Sequence, residues 1–296
     1  MSQGHGHGHG HGHGHSQEDY DWAAFGETME RNAEVHRDFL DQAMDWLRVQ
    51  ADEPARVLDV GSGPGVAACA LAETFGEAEV VAADRAPELL ALAAKRAARL
   101  GVEITTLRAD LPEAFGELGP ADLIWTSGVM HHIGDQQAAL DQLAGLLRPG
   151  GVLAVVEGGL PMRFLPRDIG IGRPGLQSRL DAANEDWFSD MRAGLPDSTR
   201  TVEDWPAMLA KTGLMPSASR TFQVDLPAPL DTEPRLLLRD MLARQREMLG
   251  DRIDAEDHAT IDRLVHDDDR ESLLWRPDAF VLNARTVHSA RRLGPA

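Results

Sequence analysis

Apolar positions follow two different periods along this chain of 296 residues. From Tyr20 to about Gln50 they recur every three to four positions, which predicts a helix that ends before Pro54. Beyond it, short apolar runs alternate with helical stretches. Strands are predicted at 57–60, 79–83, 104–108, 122–125 and 152–156, and helices at 66–75, 89–100 and 137–147. This alternation predicts an α/β fold with a doubly wound, mostly parallel sheet.

The second half of the chain is less regular. It is predicted to hold a helix at 202–212 and strands at 219–224 and 279–287, which brings the sheet to seven strands. Two stretches, at about 160–200 and 228–272, interrupt the alternation, and the second has helical patterns at 235–249 and 255–265. Long additions to an α/β domain often cover a functional site, so we expect a lid. Trp187, Phe188 and Met191 are expected to line an apolar substrate chamber or to form the core of that lid.

The N-terminal segment differs in composition from the rest of the chain. Residues 4–15 repeat Gly-His six times and offer no apolar side chain to bury, so the segment is predicted to be disordered. It is either a purification tag or a native metal-binding tail. We therefore divide the chain into a tail at 1–17, an N-terminal helical cap at 18–52, and a main domain at 53–290 that carries the two insertions.

The charge and composition of the chain limit the classes of partner that we expect. The net charge is −19, from 48 acidic and 29 basic residues, and such a surface repels phosphate backbones, so we expect no nucleic-acid partner. No apolar run is long enough for a membrane span, so no membrane partner is expected. The single cysteine, Cys69, fits a reducing cytosol. We expect a cytoplasmic protein with a small-molecule substrate. The oligomeric state stays open, a homodimer included.

A glycine-rich loop is the strongest candidate for a binding site. The strand at 57–60 runs into Gly61-Ser62-Gly63-Pro64-Gly65, and a helix follows. Glycines let the backbone approach a ligand, and the amino end of a helix favours a negative group. The phosphate-loop pattern is absent because no lysine lies near. The dinucleotide fingerprint fails by one residue, with Val66 in the place of the third glycine.

Two acidic residues follow the next two strands. Asp84 stands 19 residues after the loop, where a carboxylate accepts both hydroxyls of a ribose. The alternative is that it caps the helix that Pro87 opens. Asp110 follows the third strand and is a candidate acceptor for an exocyclic amine, with Leu111 packed on the base. The alternative for Asp110 is a turn.

These features resemble the class I S-adenosylmethionine-dependent methyltransferases. The resemblance covers about Val57 to Glu157 and includes the segment at 122–127 and the phrase Leu147-Arg148-Pro149-Gly150-Gly151. It implies a Rossmann-like methyltransferase fold, S-adenosylmethionine as the cofactor and S-adenosylhomocysteine as the product. In the family, N-terminal helices often lie over the cofactor, which suits the cap at 18–52.

The resemblance also implies two groups of cofactor-binding residues, and no metal. The methionine part would be held by Asp59, Gly61, Ser62, Gly63, Gly65 and the backbone carbonyl of Ser127. The nucleoside would contact Asp84, Arg85, Asp110 and Leu111.

Catalytic candidates come from the segment after the fourth strand and from the end of the fifth. In-line methyl transfer needs positioning and exclusion of water, and a hydroxyl or amine acceptor also needs a base. His132, slightly ahead of His131, is the candidate base, and a wall of the cofactor pocket is the alternative for both. Glu157 either orients a substrate hydroxyl or amine or bonds the adjoining Gly158-Gly159 turn.

The sequence therefore predicts methyl transfer to a small-molecule acceptor. Oxygen and nitrogen are the favoured acceptor atoms, and carbon stays open. The alternatives are an RNA or protein methyltransferase, or a protein of this fold that binds the cofactor and transfers no methyl group.

Overall fold

The computed structural model describes residues 22–294, so the Gly-His repeat and Tyr20 lie outside the described residues. Within them the helices are α1 Trp22–Val35, α2 Arg37–Gln50, α3 Val66–Thr74, α4 Pro87–Leu100, α5 Gln136–Leu146, α6 Leu176–Ala193, α7 Trp205–Lys211, α8 Thr232–Leu249 and α9 Ala255–Val265. The strands are β1 Arg56–Val60, β2 Glu79–Asp84, β3 Thr105–Arg108, β4 Ala121–Ser127, β5 Leu147–Arg163, β6 Met215–Leu226 and β7 Val281–Arg291.

The strands form one sheet in the order β3-β2-β1-β4-β5-β7-β6. The first five strands along the chain are parallel, and β7 runs antiparallel to both β5 and β6. This arrangement confirms the predicted α/β class and the mostly parallel, seven-stranded sheet. The chain order reverses between β1 and β4, and parallel sheets bind ligands at the carboxyl ends of the strands at such a point.

Helices cover both faces of the sheet, which is why its central strands are almost wholly apolar. Val57 and Leu123 point towards a core that α2 and α3 complete. Leu58 and Ile124 point towards a second core that α5 and α7 complete. The side chains of all four residues are fully buried.

The N-terminal helix of the prediction is two helices in the structure. His36 separates α1 from α2 with φ −100° and ψ 19°, outside the helical region. The Nδ1–H of His36 donates to the carbonyl of Asn32 at 2.7 Å. The prediction of one unbroken helix was wrong because the apolar period continues across this junction.

Other boundaries also differ from the prediction. β5 continues past residue 156 to Arg163 because it keeps pairing with β7 beyond a bulge. α7 starts at Trp205 and not at 202, since the Asp204 side chain accepts the Ala207 N–H at 3.1 Å and so caps the helix there. β6 is longer than predicted, and β7 spans 281–291 in place of 279–287.

The two insertions and the N-terminal helices pack together. The first insertion contains α6, which the sequence pattern did not predict, and the second contains α8 and α9. Arg179 of α6 binds Asp257 of α9 through two hydrogen bonds of 2.7 Å. α1 packs against α8 and α4. From here on, the cap means α1, α6, α8 and α9, which replaces the N-terminal cap predicted at 18–52 because the insertion helices join α1 and α2 is left out. None of the helices in residues 22–294 combines the length and apolarity that a bilayer crossing requires.

Candidate active site

The glycine loop between β1 and α3 has no room for side chains at two of its positions. Gly61 and Gly65 have φ of 73° and 75°, a region that residues with a Cβ rarely adopt. A Cβ on Gly61 would lie 2.2 Å from Val129, and one on Gly65 would lie 2.5 Å from the Cβ of Ala93. The loop therefore keeps its path, and exposes its backbone, only with glycine at these positions.

Asp84, at the end of β2, fixes this loop. One carboxylate oxygen accepts the N–H of Gly63 at 2.8 Å, and the other accepts the N–H of Ala86 at 3.0 Å, just before α4. Asp84 thus supports both the loop and the start of α4. Each oxygen retains a second lone pair, so the carboxylate can still accept a hydrogen bond from a ligand.

The other nucleoside candidates lie along the open edge next to Asp84. Arg85 and Asp110 are exposed, and Leu111 is half-buried. The turn after β3 is closed by the backbone carbonyl of Asp110, which accepts the N–H of Ala114 at 2.9 Å. The Asp110 side chain takes no part in that hydrogen bond and is available to a ligand.

A cavity of about 170 Å³ opens beside the loop. The sheet contributes the predicted residues Asp59, Gly61, Ser62 and Ser127 to its wall. The N-terminal helices and their junction contribute Met29, Asn32, Ala33, His36, Phe39 and Leu40, and β7 contributes Arg285. Asp84, Arg85, Asp110 and Leu111 are not among the lining residues. Gly63 and Gly65 do not line it either, so the cavity brings together four of the six residues predicted for the methionine part and none of those predicted for the nucleoside.

Buried polar atoms in this cavity lack partners. Asp59 and Ser62 are 2% and 8% exposed, and within the described chain Oδ2 of Asp59 and Oγ of Ser62 make no hydrogen bond. Burial, and then the charge of Asp84, raise the pKa of Asp59 to about 7. Buried polar atoms are nearly always paired, so these two fit a ligand that brings hydrogen-bond donors, such as the amino-acid end of the implied cofactor.

Glu157 lies inside β5, at its bulge and not at its end as predicted, and connects this strand to the turn after β4. Its two carboxylate oxygens accept the backbone N–H of Met130 at 2.9 Å and Nδ1–H of His131 at 3.1 Å. These bonds replace the expected one to the Gly158-Gly159 turn. They fix the tautomer of His131 and leave its Nε2 as an acceptor.

His132 has a different environment. Its ring centroid lies 4.1 Å from that of His131, and the residue is partly open to solvent. Partial burial, followed by the neighbouring His131, lowers the pKa of His132 to about 4. His131, His132 and Glu157 lie beside the cavity and do not line it.

The aromatic residues of the first insertion do not form one wall. The Phe188 ring lies 5.6 Å from that of His131, whereas Trp187 packs against the core that contains α2. Consecutive residues of a helix project about 100° apart, so α6 directs these two rings differently. Arg192, one turn further on, donates to the carbonyls of His131 and Ile133 at 2.9 and 2.6 Å.

Sequence reasoning missed polar residues of the cavity, among them His36 and Arg285. Nε2 of His36 accepts the amide of Asn283 at 2.8 Å, while its Nδ1 donates to Asn32. Burial, and then the charge of Arg285, lower the pKa of His36 to about 4, so the ring is neutral. Neither residue belongs to a local motif, and only the three-dimensional packing brings them to the site.

Comparison with known proteins identifies the family. The methyltransferase-domain family matches residues 57–151. A trans-aconitate 2-methyltransferase of Methylobacterium nodulans is 30% identical over 217 residues, which are 69% of this chain and 81% of that relative. The chain belongs to the class I S-adenosylmethionine-dependent methyltransferases. In that family S-adenosylmethionine is the methyl donor, and the glycine loop and the unpaired atoms of Asp59 and Ser62 fit that cofactor.

Two further proteins are similar to this chain over different shares of its length. A trans-aconitate 2-methyltransferase of Azoarcus sp. is 38% identical over 109 residues, or 36% of this chain. The chain spans only 41% of the length of that relative. The solved structure of an O-methyltransferase family protein from Burkholderia thailandensis covers 93% of this chain and 60% of its own, with a TM-score of 0.52 and 15% identity. That likeness shows the shared fold.

Proposed function

We propose that this methyltransferase acts on a small molecule and methylates an oxygen or nitrogen atom. The observation that carries the proposal is the cavity of about 170 Å³ between the glycine loop and the N-terminal helices. A recess of this size suits a small acceptor better than a nucleic acid or a folded protein surface. The names of the two trans-aconitate methyltransferases support the same substrate class.

We assign the cofactor residues by region. The cavity and the adjoining glycine loop would hold the methionine part, and the exposed edge next to Asp84 would hold the nucleoside. The first group is Asp59, Gly61, Ser62, Gly63, Gly65 and Ser127, and the second is Asp84, Arg85, Asp110 and Leu111. When bound, the cofactor supplies an electrophilic methyl carbon.

The chain contributes positioning and exclusion of water. α1 and α2 close the cavity on the side away from the sheet, which restricts the acceptor to few orientations. Glu157 holds the turn after β4 through Met130 and His131, and so fixes the segment that follows Ser127. We propose His131 and Glu157 as positioning residues. A base role for His132 is less well supported, because a pKa of about 4 makes a weak base at neutral pH.

Glutamine variants separate positioning from proton transfer. His131→Gln and Glu157→Gln are each expected to raise KM for S-adenosylmethionine by roughly tenfold, with a smaller loss of kcat, because one hydrogen bond to a charged group is lost. His132→Gln, the matched control, is expected to stay near wild type. Steady-state kinetics from pH 6 to pH 9 measure both constants. A large kcat loss in His132→Gln with KM unchanged would favour the base role instead.

The acceptor class is tested by product analysis. The full chain is incubated with methyl-¹³C S-adenosylmethionine and a panel of carboxylic acids, phenols and amines, and products are detected by mass spectrometry. Parallel reactions contain bulk tRNA or a mixture of purified proteins. The proposal predicts a labelled small-molecule product, while label found only in the RNA or protein reactions would refute it.

A further inference from the structure

Arg285 brings a positive charge to the wall of the cavity. On β7 it pairs with Gly159 of β5 on one side and with Phe222 of β6 on the other. Its guanidinium carbon lies 5.6 Å from the ring centroid of Phe39 in α2. The Arg285 side chain lines the same cavity as Asp59, so its charge faces the space beside the glycine loop.

Among the side chains that the structure describes, no carboxylate forms an ion pair with Arg285, and its guanidinium lies over the ring of Phe39. Two arginines that are more deeply buried are paired. Arg96 bonds Glu34 at 2.5 Å, and Arg276 bonds Asp278 at 2.7 Å. Arg285 is half-buried, and a guanidinium partly removed from water with no opposite charge beside it favours an anionic ligand.

Neighbouring groups do not compensate the charge. His36 is neutral, since burial and the charge of Arg285 lower its pKa to about 4. Asp59 shares the cavity, but burial and the charge of Asp84 raise its pKa to about 7. Burial lowers the pKa of Arg285 as well, yet a guanidinium stays protonated in proteins. This end of the cavity is therefore electropositive and suits an anion.

The chemistry of the wall favours a carboxylate. A guanidinium presents parallel N–H donors that match the two oxygens of a carboxylate. Asn32 adds an amide to the same wall, next to the apolar side chains of Met29 and Leu40. His36 is the one histidine among the described lining residues, and both of its ring nitrogens are hydrogen-bonded. A carboxylate acceptor is ionised at neutral pH and needs no base, which agrees with that arrangement.

Arg285 belongs to a strand that is remote in the sheet from the proposed methionine site. Asp59 lies on β1 and Ser127 ends β4, whereas β7 is the third strand from β1. At about 4.8 Å per strand, β7 lies roughly 14 Å from β1 across the sheet. The backbone of Arg285 is thus remote from the strands that carry the methionine part, while its side chain lines another wall of the same cavity.

We propose that Arg285 binds a carboxylate of the methyl acceptor, so that the acceptor is a small carboxylic acid. This inference rests on the proposed function and adds the substrate class and the residue that selects it.

The test measures acceptor and cofactor binding separately. Trans-aconitate, malonate and benzoate are titrated calorimetrically into the full-length enzyme saturated with S-adenosylhomocysteine. In a second titration, S-adenosylhomocysteine itself is added to the free enzyme. The variant is Arg285→Met, which keeps the apolar stem and removes the charge. The control is Arg220→Met, because Arg220 also lies over an aromatic ring, Phe222 at 5.1 Å, but is exposed and outside the cavity.

The proposal predicts that at least one of the three acids binds the wild-type complex and that Arg285→Met weakens this binding by about 10- to 100-fold. The affinity for S-adenosylhomocysteine should stay within threefold in Arg285→Met, and both affinities should be unchanged in Arg220→Met. A tenfold or greater loss of S-adenosylhomocysteine affinity would assign Arg285 to the cofactor and overturn the proposal.

Two other outcomes also overturn it. One is that none of the three acids binds the wild-type complex at millimolar concentration, and the other is that an acid binds wild type and Arg285→Met equally. Neither outcome refutes small-molecule methylation, which fails only if the labelled-product experiment finds no small-molecule acceptor.

Discussion

Gly65 is a residue at which backbone angle and space together exclude every side chain. A Cβ there would lie 2.5 Å from the Cβ and 2.9 Å from the Cα of Ala93, at a φ of 75°. Gly65→Ala is expected to lower the free energy of unfolding by more than about 2 kcal/mol, from the left-handed conformation plus the displacement of α4. Urea unfolding measures the stability, and titration with S-adenosylhomocysteine should show at least a tenfold weaker affinity.

Gly101 provides the matched control for Gly65. It has a similar φ of 72°, at the end of α4, but nothing lies within 4 Å of its would-be Cβ. Gly101→Ala is expected to cost about 1 kcal/mol from the backbone alone and to leave ligand affinity unchanged. Equal effects of the two substitutions would contradict the close approach of the loop to α4.

His36 and Asp59 make the stability of the protein depend on pH in opposite directions over the same pH range. The pKa of His36 is lowered to about 4, so the unfolded chain binds more protons between pH 6.5 and 4, and the stability that His36 provides is lost as pH falls. The pKa of Asp59 is raised to about 7, so its contribution is lost as pH rises from about 4 to 7. The two effects partly cancel, and only a difference between variants isolates either one.

Removing the imidazole should therefore change how stability depends on pH. Relative to wild type, His36→Gln is expected to gain roughly 2–3 kcal/mol in unfolding free energy between pH 7 and pH 4.5, because it no longer has a ring to protonate. Urea unfolding at both pH values checks this. The exposed His266, changed to Gln, is the control. A constant difference between wild type and His36→Gln at the two pH values would contradict the neutral, buried state of His36.

At the scale of elements, one arginine connects α6 to the turn that carries the histidines. Arg192 donates to the carbonyls of His131, Ile133 and Gly134. Arg192→Ala is expected to lower amide-exchange protection at 130–134 by about tenfold, since hydrogen bonds from a charged group stabilise the turn. Exchange in β1 should not change.

Arg252→Ala is the control for this element. Arg252 also bonds α6, through Asp190 at 2.7 Å, but both side chains are well exposed. Surface ion pairs contribute little, so protection at 130–134 is expected to stay at the wild-type level. If both variants loosen the turn equally, the Arg192 contacts are not what holds it.

The apolar pattern was sufficient to predict buried elements whose ends are marked by strong local signals. β1 and β2 are buried runs, and the glycines and Pro87 mark the starts of α3 and α4, so these elements and Asp84 were predicted close to their true positions. The family pattern covers the same part of the chain. Cofactor candidates could therefore be named before the structure was known.

Elsewhere, tertiary contacts decide the structure and the sequence pattern carries little information. The break at His36 depends on hydrogen bonds to Asn32 and Asn283, and the second of these is remote in sequence. β5 continues to Arg163 because β7 pairs with it. Arg285 lies in a strand that contains both apolar and polar residues without a clear period, and only the fold shows that it lines the cavity.

At the scale of the whole molecule, the cap and the sheet share one apolar core. Leu123 of β4 belongs to the same buried cluster as Leu180 of α6, Leu237 of α8 and Ile261 of α9. We therefore predict one cooperative thermal transition, with equal calorimetric and van't Hoff enthalpies. S-adenosylhomocysteine at 100 times its Kd should add about 2.7 kcal/mol and leave the transition single. Two transitions, only one of which responds to the ligand, would show an independent cap.

Calorimetric titration of the full chain with S-adenosylhomocysteine tests the central claim most directly, namely that the carboxyl edge of β1 and β2 holds the cofactor. We predict micromolar binding that Asp84→Asn weakens by roughly 10- to 100-fold. Asp122→Asn is the control, because Asp122 also accepts backbone N–H groups, from Ala55 and Arg56, but at the opposite edge of the sheet. Absence of binding, or equal affinity in wild type and Asp84→Asn, would contradict this account.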